Sequence, residues 1–98
     1  MDMHYVYILQ STKDGMQYIG VTNDVTRRLR EHNIGNSKST SPHRPFELKR
    51  VERYDTIEAA YQRERFLKSK KSKTIIQKVI ESSPDVQAEL EVGIPISR

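Results

Sequence analysis

The chain has 98 residues and no cysteine, so it has the size of one compact domain and can form neither disulfides, thiolate metal sites nor a cysteine nucleophile. Its net charge of +4 is unevenly divided, because residues 81–98 hold four carboxylates against one arginine and leave +7 on residues 1–80. A basic body of this kind can meet phosphates, although a mildly basic domain needs no such partner to explain its charge.

Two strands joined by a tight turn open the predicted fold. Residues 4–10 are rich in β-branched and aromatic side chains, which favour a pleated and partly buried strand. Asp14 and Gly15 then supply the turn, since glycine readily adopts the positive φ that a tight hairpin needs. Residues 17–22 return as the second strand, and we expect the two strands to pair antiparallel.

A first helix is predicted over residues 25–32. Asn23 or Asp24 can cap it, because both side chains can accept a hydrogen bond from a free backbone N–H of the first turn. Residues 36–45 are polar, contain two prolines and show no periodicity. This composition predicts a loop after the helix.

The second half of the chain predicts a third strand and two more helices. Residues 46–54 alternate as a strand would, and helices follow over residues 57–70 and 73–82. The remainder shows no clear period, so residues 83–98 are predicted to be a loosely attached tail behind a domain of residues 1–82. The order β-β-α-β-α-α predicts an α+β fold, in which a small three-stranded antiparallel sheet (the hairpin plus the third strand) is flanked by three helices.

Charged side chains stand where the helical pattern calls for apolar ones. In the first helix Arg28 and His32 lie beside or on the apolar stripe, and because they are four residues apart they share one face. In the second helix Glu64 lies between Ala60 and Leu67 on the inward stripe. Burying such a carboxylate is costly without a cation, a metal or several hydrogen-bond donors. The alternative is that Glu64 pairs with Arg28, or that the helix ends expose both.

The triplets Tyr5-Val6-Tyr7 and Tyr18-Ile19-Gly20 face each other across the predicted hairpin. Together with an arginine ten residues after Tyr18, a histidine one turn later and a glutamate on the second helix, they resemble the signature of the GIY-YIG nucleases. The first triplet departs from that signature, with tyrosine for glycine and valine for isoleucine, while the second matches in full. The Tyr-Val-Tyr form is similar to small stand-alone members of the family that are related to the nuclease domain of an excinuclease. The resemblance covers residues 3–80 or so.

The resemblance implies a role for each matching residue. Tyr7 and Tyr18 are the motif tyrosines, which face one site from neighbouring strands. Gly20 is the small position that lets the first helix pack close. Arg28 is the catalytic arginine, and His32 is a histidine that some members carry.

For the reaction, the resemblance implies a metal-dependent endonuclease that hydrolyses phosphodiester bonds with a single metal ion. Glu64 would hold Mg²⁺ or Mn²⁺ together with several waters, and Arg28 would bind the phosphoryl oxygens. Tyr7, Tyr18 and His32 are all candidates for the general base. Tyr7 is slightly preferred, and the sequence leaves the other two as alternatives.

Cations that could contact nucleic acid occur in two parts of the chain. Lys38 falls in the loop where substrate-contacting residues of the family often lie. A basic run on and after the second helix is the expected duplex contact, with a solvated helix face as the alternative. Its members include Arg63, Lys68, Lys70 and Lys71.

DNA is the expected partner, in structured or damaged form as in DNA repair, with RNA as an alternative and a partner protein as one source of specificity. No apolar run approaches the roughly 20 residues that span a bilayer. The N-terminus also lacks the pattern of a secretory signal, so we expect a cytoplasmic protein. Two rival hypotheses are a nucleic-acid-binding module that keeps the fold without turnover, and a structural or protein-interaction domain.

Overall fold

The computed structural model describes residues 3–97, which form a three-stranded antiparallel sheet in the order β2-β1-β3 with helices on both faces. In chain order the elements are β1 (His4–Ser11), β2 (Gln17–Thr22), α1 (Val25–Asn33), a 3₁₀ turn (Ser41–His43), β3 (Phe46–Tyr54), α2 (Ile57–Ser69), α3 (Lys73–Glu81) and α4 (Val86–Val92). The predicted α+β class and its sheet are confirmed, and a fourth helix joins the three predicted. No helix within residues 3–97 combines the length and apolarity needed to cross a membrane.

The β1–β2 hairpin turns at Asp14 and Gly15, as the sequence predicts, and Gly15 has a φ of +77°. The register that follows places Tyr7 directly opposite Gly20. Tyr18 is two residues from Gly20 along β2, and alternate residues of a strand point to the same side. Both motif tyrosines therefore lie on one face of the sheet.

Side-chain caps fix where the helices begin. Asp24, Thr56 and Ser72 each accept a hydrogen bond from the backbone N–H three residues further on. Of the two candidates that the sequence offers for α1, the cap is therefore Asp24 and not Asn23. Because α1 and α2 carry the predicted site residues, these caps also set how the site residues are presented to the sheet.

Two apolar cores lie on the two faces of the sheet, because successive residues of β1 point to opposite sides. The first core packs against α2 and α3 and contains Val6, Ile8, Ile19, Ala60, Leu67, Ile76 and Ile80. The second packs against α1 and α4 and contains Tyr7, Leu9, Val25, Phe46, Leu48, Val51 and Ala88. Since α1 and α2 lie on opposite faces, their side chains can share a site only around the β2 edge of the sheet.

Residues 83–97 differ from the loosely attached tail that the sequence predicts. Asp85 caps α4 by accepting from Ala88 N, and Ala88 is fully buried in the second core. Arg53 on β3 donates to Glu91 on α4 at 2.9 Å. The predicted loose tail is therefore wrong. The sequence did not reveal α4 because a helix of seven residues is too short to show a period. The division of the chain at residue 82 stays a prediction.

Candidate active site

A chain of hydrogen bonds runs from Tyr7 through His32 to Thr40 in the buried part of the second core. The Tyr7 hydroxyl lies 3.2 Å from His32 Nε2, and His32 Nδ1 lies 2.8 Å from Thr40 Oγ1. Thr40 Oγ1 in turn lies 3.5 Å from the carbonyl oxygen of Ser37, which can only accept. Thr40 therefore donates to Ser37 and accepts from Nδ1–H, so that Nε2 is left to accept from the Tyr7 hydroxyl.

The surroundings keep both Tyr7 and His32 neutral at pH 7. Burial raises the pKa of Tyr7 to about 12, although the Arg28 guanidinium opposes this rise. Burial and then the positive charge of Arg28 lower the pKa of His32 to about 4. A neutral phenol that donates to a neutral imidazole is the arrangement from which His32 can take the phenol's proton once Tyr7 accepts another.

Arg28 lies beside the two phenols and reaches solvent. Its guanidinium interacts with the hydroxyls of Tyr7 and Tyr18, and Nη1 is 3.1 Å from Glu31 Oε1. Burial alone would lower the pKa of Arg28, but the nearby Tyr7 hydroxyl and the Glu31 carboxylate outweigh it and raise the pKa. A charged, partly exposed guanidinium next to phenols has the right geometry to bind the oxygens of an incoming phosphate.

Glu64 approaches the same phenol from α2. Its side chain is 18% exposed, and its negative charge adds the smallest of the contributions to the raised pKa of Tyr7, after burial and the influence of Tyr18. Glu64 Oε2 is 3.1 Å from Lys68 Nζ, whereas Arg28 pairs with Glu31. The ion pair between Glu64 and Arg28 that the sequence offered as an alternative is therefore not formed.

The residues present fit a metal ion that is held through one carboxylate. Across residues 3–97 no three or more histidine, aspartate or glutamate side chains come together to hold a metal. Mg²⁺ commonly binds one or two carboxylates and keeps several waters, and Glu64 offers one carboxylate that solvent can reach. Its partner Lys68 is more than half exposed, so this ion pair is weak and can open at little cost.

Gly20 makes room for the ring of Tyr7. A Cβ atom on Gly20 would lie 2.6 Å from Cζ of Tyr7 and closer still to its hydroxyl oxygen. The Tyr7 ring therefore extends across the opposite strand at the one position without a side chain. A side chain here would displace the phenol, and the role of Gly20 in the packing of α1 stays a prediction.

Two of the predicted nucleic-acid contacts are engaged within the protein. Arg63 donates to both carboxylate oxygens of Glu52 at 2.9 and 3.1 Å, so it belongs to a buried ion network and its predicted contact with nucleic acid is corrected. Lys70 Nζ lies 4.3 Å from the centre of the Phe66 ring, a cation–π contact that still leaves the ammonium at the surface.

The other predicted contacts line two basic grooves on either side of the hairpin turn. One groove, of about 430 Å³, borders Tyr18 and contains Lys68, Lys71 and Lys73. The other, of about 530 Å³, contains Lys13, Lys38 and Arg44. Lys38, Lys68 and Lys71 thus lie where a polynucleotide near the site could reach them, as does Lys73 of the same basic run. Lys13 and Arg44 are two further cations that the sequence did not indicate.

Thr40 is the site residue that the sequence did not reveal. It lies in a segment predicted only as a loop, yet it is fully buried and holds the imidazole of His32 in one orientation. Its partner is eight residues away across the end of α1, a separation that neither helical nor strand periodicity marks. Only the fold brings the two side chains together, so no local pattern could have predicted the contact.

Comparison with known proteins identifies the family of this chain. The family model described as the GIY-YIG catalytic domain matches residues 3–78, so the chain belongs to the GIY-YIG family, a family of nucleases.

Its similar relatives are small proteins of the UPF0213 group. A UPF0213 protein of Haloquadratum walsbyi is 45% identical over 69 residues, which cover 69% of this chain and 76% of the relative. One from Syntrophus aciditrophicus is 34% identical over 87% of this chain and 98% of the relative. The solution NMR structure of a UPF0213 protein from Bacillus halodurans matches with a TM-score of 0.53 and 30% identity, over 95% of this chain and 99% of the other.

Proposed function

We propose that this protein is a metal-dependent endonuclease that hydrolyses phosphodiester bonds in DNA with a single metal ion. The observation that carries the proposal is that a guanidinium and a carboxylate both act on the buried pair of Tyr7 and His32. Arg28 comes from one face of the sheet and Glu64 from the other, and both influence the same phenol. Their ion-pair partners, Glu31 and Lys68, reach solvent and can be exchanged for a ligand.

Arg28 is proposed to bind the phosphate that is cut. Its planar guanidinium can donate two parallel hydrogen bonds to non-bridging oxygens, which carry more negative charge in the transition state than in the substrate. Glu31, its present partner, is at the surface and can be exchanged for a phosphate at little cost. Arg28 therefore positions the phosphorus next to the Tyr7 hydroxyl.

Tyr7 is proposed to act as the general base, with His32 as the group that takes its proton. A free tyrosinate is strongly disfavoured, since the pKa of Tyr7 is raised to about 12. If the Tyr7 proton moves to His32 Nε2 while the hydroxyl oxygen takes a proton from the attacking water, no such anion has to form. The negative charge of a bound phosphate favours this transfer, because it raises the pKa of the nearby imidazole. Thr40 keeps Nε2 directed at the phenol throughout.

Glu64 is proposed to hold the metal, with Mg²⁺ or Mn²⁺ as the candidates. When bound, the ion would supply charge neutralisation at the phosphate and stabilise the leaving oxygen. Lys68 would then turn away from Glu64 towards the groove that it shares with Lys71. An ion held by Glu64 would act on the same phosphate as the Tyr7 base.

The two basic grooves support DNA as the substrate, because each presents three cations on one side of the hairpin. Phosphates that neutralise such cations release bound counterions, which makes binding strong at low salt. We place structured or damaged DNA, as it occurs in DNA repair, among the substrates. A cytoplasmic location and a partner protein that adds specificity are parts of the same proposal.

The test is incubation of the full chain with branched, single-stranded and duplex DNA, in the presence of Mg²⁺, Mn²⁺ or EDTA. We expect cleavage with either metal, none with EDTA, and none by Glu64→Ala, whose thermal unfolding should match that of the wild type. Cleavage by folded Glu64→Ala at the wild-type rate would contradict the assignment. DNA binding that persists in EDTA, without cleavage under any metal, would instead establish a binding module that has lost turnover.

A further inference from the structure

One face of α2 runs past the whole candidate site. Ile57, Tyr61, Glu64 and Lys68 follow one another at spacings of four, three and four residues, so their side chains lie in one row along the helix. Glu64, at the middle of the row, is the proposed metal ligand. The residues before and after it therefore flank the reacting phosphate on its two sides.

The groove at the C-terminal end of this row is basic. It lies between α2, the start of α3 and the hairpin, and it joins the site at Tyr18. Its cations are Lys68, Lys71 and Lys73. Lysine ammonium groups spaced along a groove suit the regular phosphates of a paired strand and carry no preference for bases.

The groove at the N-terminal end of the row is different in character. It has a volume of about 440 Å³, joins the site at Arg28, and places the exposed side chains of Ile57 and Tyr61 opposite Val21. Tyr61 is 44% exposed, and within residues 3–97 its hydroxyl has no hydrogen-bond partner. The two arginines in this groove, Arg27 and Arg28, both pair with Glu31, at 3.9 and 3.1 Å.

An exposed aromatic ring in a groove of this size can stack on a nucleobase. In duplex DNA both faces of each base are covered by its neighbours, so only an unpaired base can present a face to Tyr61. The uncharged side chains of Ile57 and Tyr61 suit a base, whereas Arg27 and Arg28 in the same groove suit its phosphate. The row on α2 thus has a lysine end for a paired strand and an aromatic end for an unpaired base.

We infer that Tyr61 and Ile57 bind an unpaired nucleobase next to the phosphate that is cut. This inference rests on the proposed endonuclease function. The substrate is therefore DNA in which duplex meets single strand, with the duplex on the side of Lys68 and Lys71. The cut falls at or beside the junction, because Glu64 lies about one helical turn from Tyr61 on one side and from Lys68 on the other.

The experiment measures binding in EDTA, so that it does not depend on turnover. The probes are a duplex with a short single-stranded overhang, and the same molecule with abasic residues in the overhang, which keeps every phosphate and removes only the bases. We expect wild-type protein to bind the first probe about tenfold more tightly, the size of one stacked base. Fluorescence anisotropy at fixed low salt gives both dissociation constants.

Variants of α2 separate stacking at the groove from general effects of an exposed ring. Tyr61→Ala should bind both probes equally, and Tyr61→Phe, which keeps the ring, should retain the tenfold difference. Phe66→Ala is the matched control, because Phe66 is 48% exposed on another side of the same helix, and it should also retain the difference. Unchanged circular dichroism spectra establish that the variants are folded.

The result that overturns the inference is a wild-type protein that binds the two probes alike, or a Phe66→Ala protein that loses the difference as Tyr61→Ala does. Either result, combined with metal-dependent cleavage by the wild type, leaves the endonuclease function standing and removes only the base site. Binding that depends on the bases of the overhang, without cleavage under any metal, would support the base site and contradict the proposed endonuclease function.

Discussion

The protein buries polar and charged side chains in two places that differ in how completely they are paired. In the first, Glu52 accepts from Arg50 at 2.6 Å, from Arg63 at 2.9 and 3.1 Å and from the Tyr54 hydroxyl at 2.8 Å. In the second, the buried phenol of Tyr7 and the neutral imidazole of His32 share one hydrogen bond. The charged groups around them, on Arg28 and Glu64, hold only surface partners.

The difference separates structural charge from charge kept ready for a ligand. Burial alone would raise the pKa of Glu52, but hydrogen bonds from Arg63, Arg50 and Tyr54 outweigh it and lower the pKa. That network is complete, so nothing is gained by adding a further group. Around Tyr7 the guanidinium and the carboxylate can exchange their exposed partners for a phosphate and a cation. Incomplete pairing of this kind is a better sign of a functional site than burial is.

The largest effect should come from removing Arg28 in the incompletely paired site. We expect Arg28→Ala to slow cleavage by about 100- to 1000-fold, the usual loss for one group that stabilises the charge of a transition state. Its unfolding free energy should change by less than about 1 kcal/mol, since the side chain is partly exposed. Rates from single-turnover assays and urea unfolding curves check the two numbers. A large stability loss with unchanged turnover would place Arg28 among the structural charges.

Glu52→Gln should show the opposite pattern. A buried Arg50 and a partly buried Arg63 would lose their counter-charge, which typically costs about 3 kcal/mol of unfolding free energy. Because Glu52 lies outside the candidate site, cleavage per folded molecule should equal that of the wild type. Urea unfolding and activity corrected for the folded fraction test this together. Stability within about 0.5 kcal/mol of the wild type would mean that the network contributes little.

The two clusters should also lose stability in different pH ranges. The folded pKa of His32 is about 4 against an ordinary value of 6.5, so the unfolded chain takes up its proton first as pH falls between these values. Unfolding free energy should drop by up to about 3 kcal/mol across this window, and His32→Gln should flatten it. The lowered pKa of Glu52 stabilises the fold above its ordinary value of 4.5, and this stabilisation is lost in more acidic solution. Urea midpoints measured from pH 7 to pH 3 separate the two ranges.

The smallest effect is a change in the salt dependence of DNA binding. Lys71→Ala should lower the slope of log affinity against log salt by about 1, because one phosphate contact is lost. Arg63→Ala should leave the slope unchanged, since Arg63 neutralises Glu52 and not a phosphate. Titrations between low and moderate salt provide both slopes. Equal slope changes in the two variants would restore the original prediction for Arg63.

Local signals in the sequence account for most of the fold. The turn at Gly15 and the caps at Asp24 and Thr56 are decided by residues next to one another in the chain, and the predicted elements end within two residues of the observed ones. The sequence did not predict α4 because its segment shows no clear period, whereas a short helix fits between Asp85 and Gly93. Short elements stabilised by tertiary packing are the ones that local patterns fail to reveal.

The sequence pointed to individual side chains of the candidate site but not to their contacts. Arg28 and Glu64 were singled out by their positions on the helical stripes and Tyr7 by the family resemblance, and the charges of Arg28 and Glu64 both affect the pKa of Tyr7. Arg63 was misassigned because its partner lies on a strand 11 residues earlier, and the side of a helix that a residue faces depends on packing. The pairing of His32 with Thr40 depends in the same way on how the loop returns over the core.

The missing side chain at Gly20 has a consequence for sequence variation in proteins of this kind. Position 20 carries no reacting atom, yet any larger residue there must push the Tyr7 ring from its place opposite. Changes at the two positions should therefore be inherited together, so that an alanine at position 20 would be tolerated only alongside a smaller residue at position 7. A chain with both substitutions would keep its sheet and lose the proposed general base at position 7.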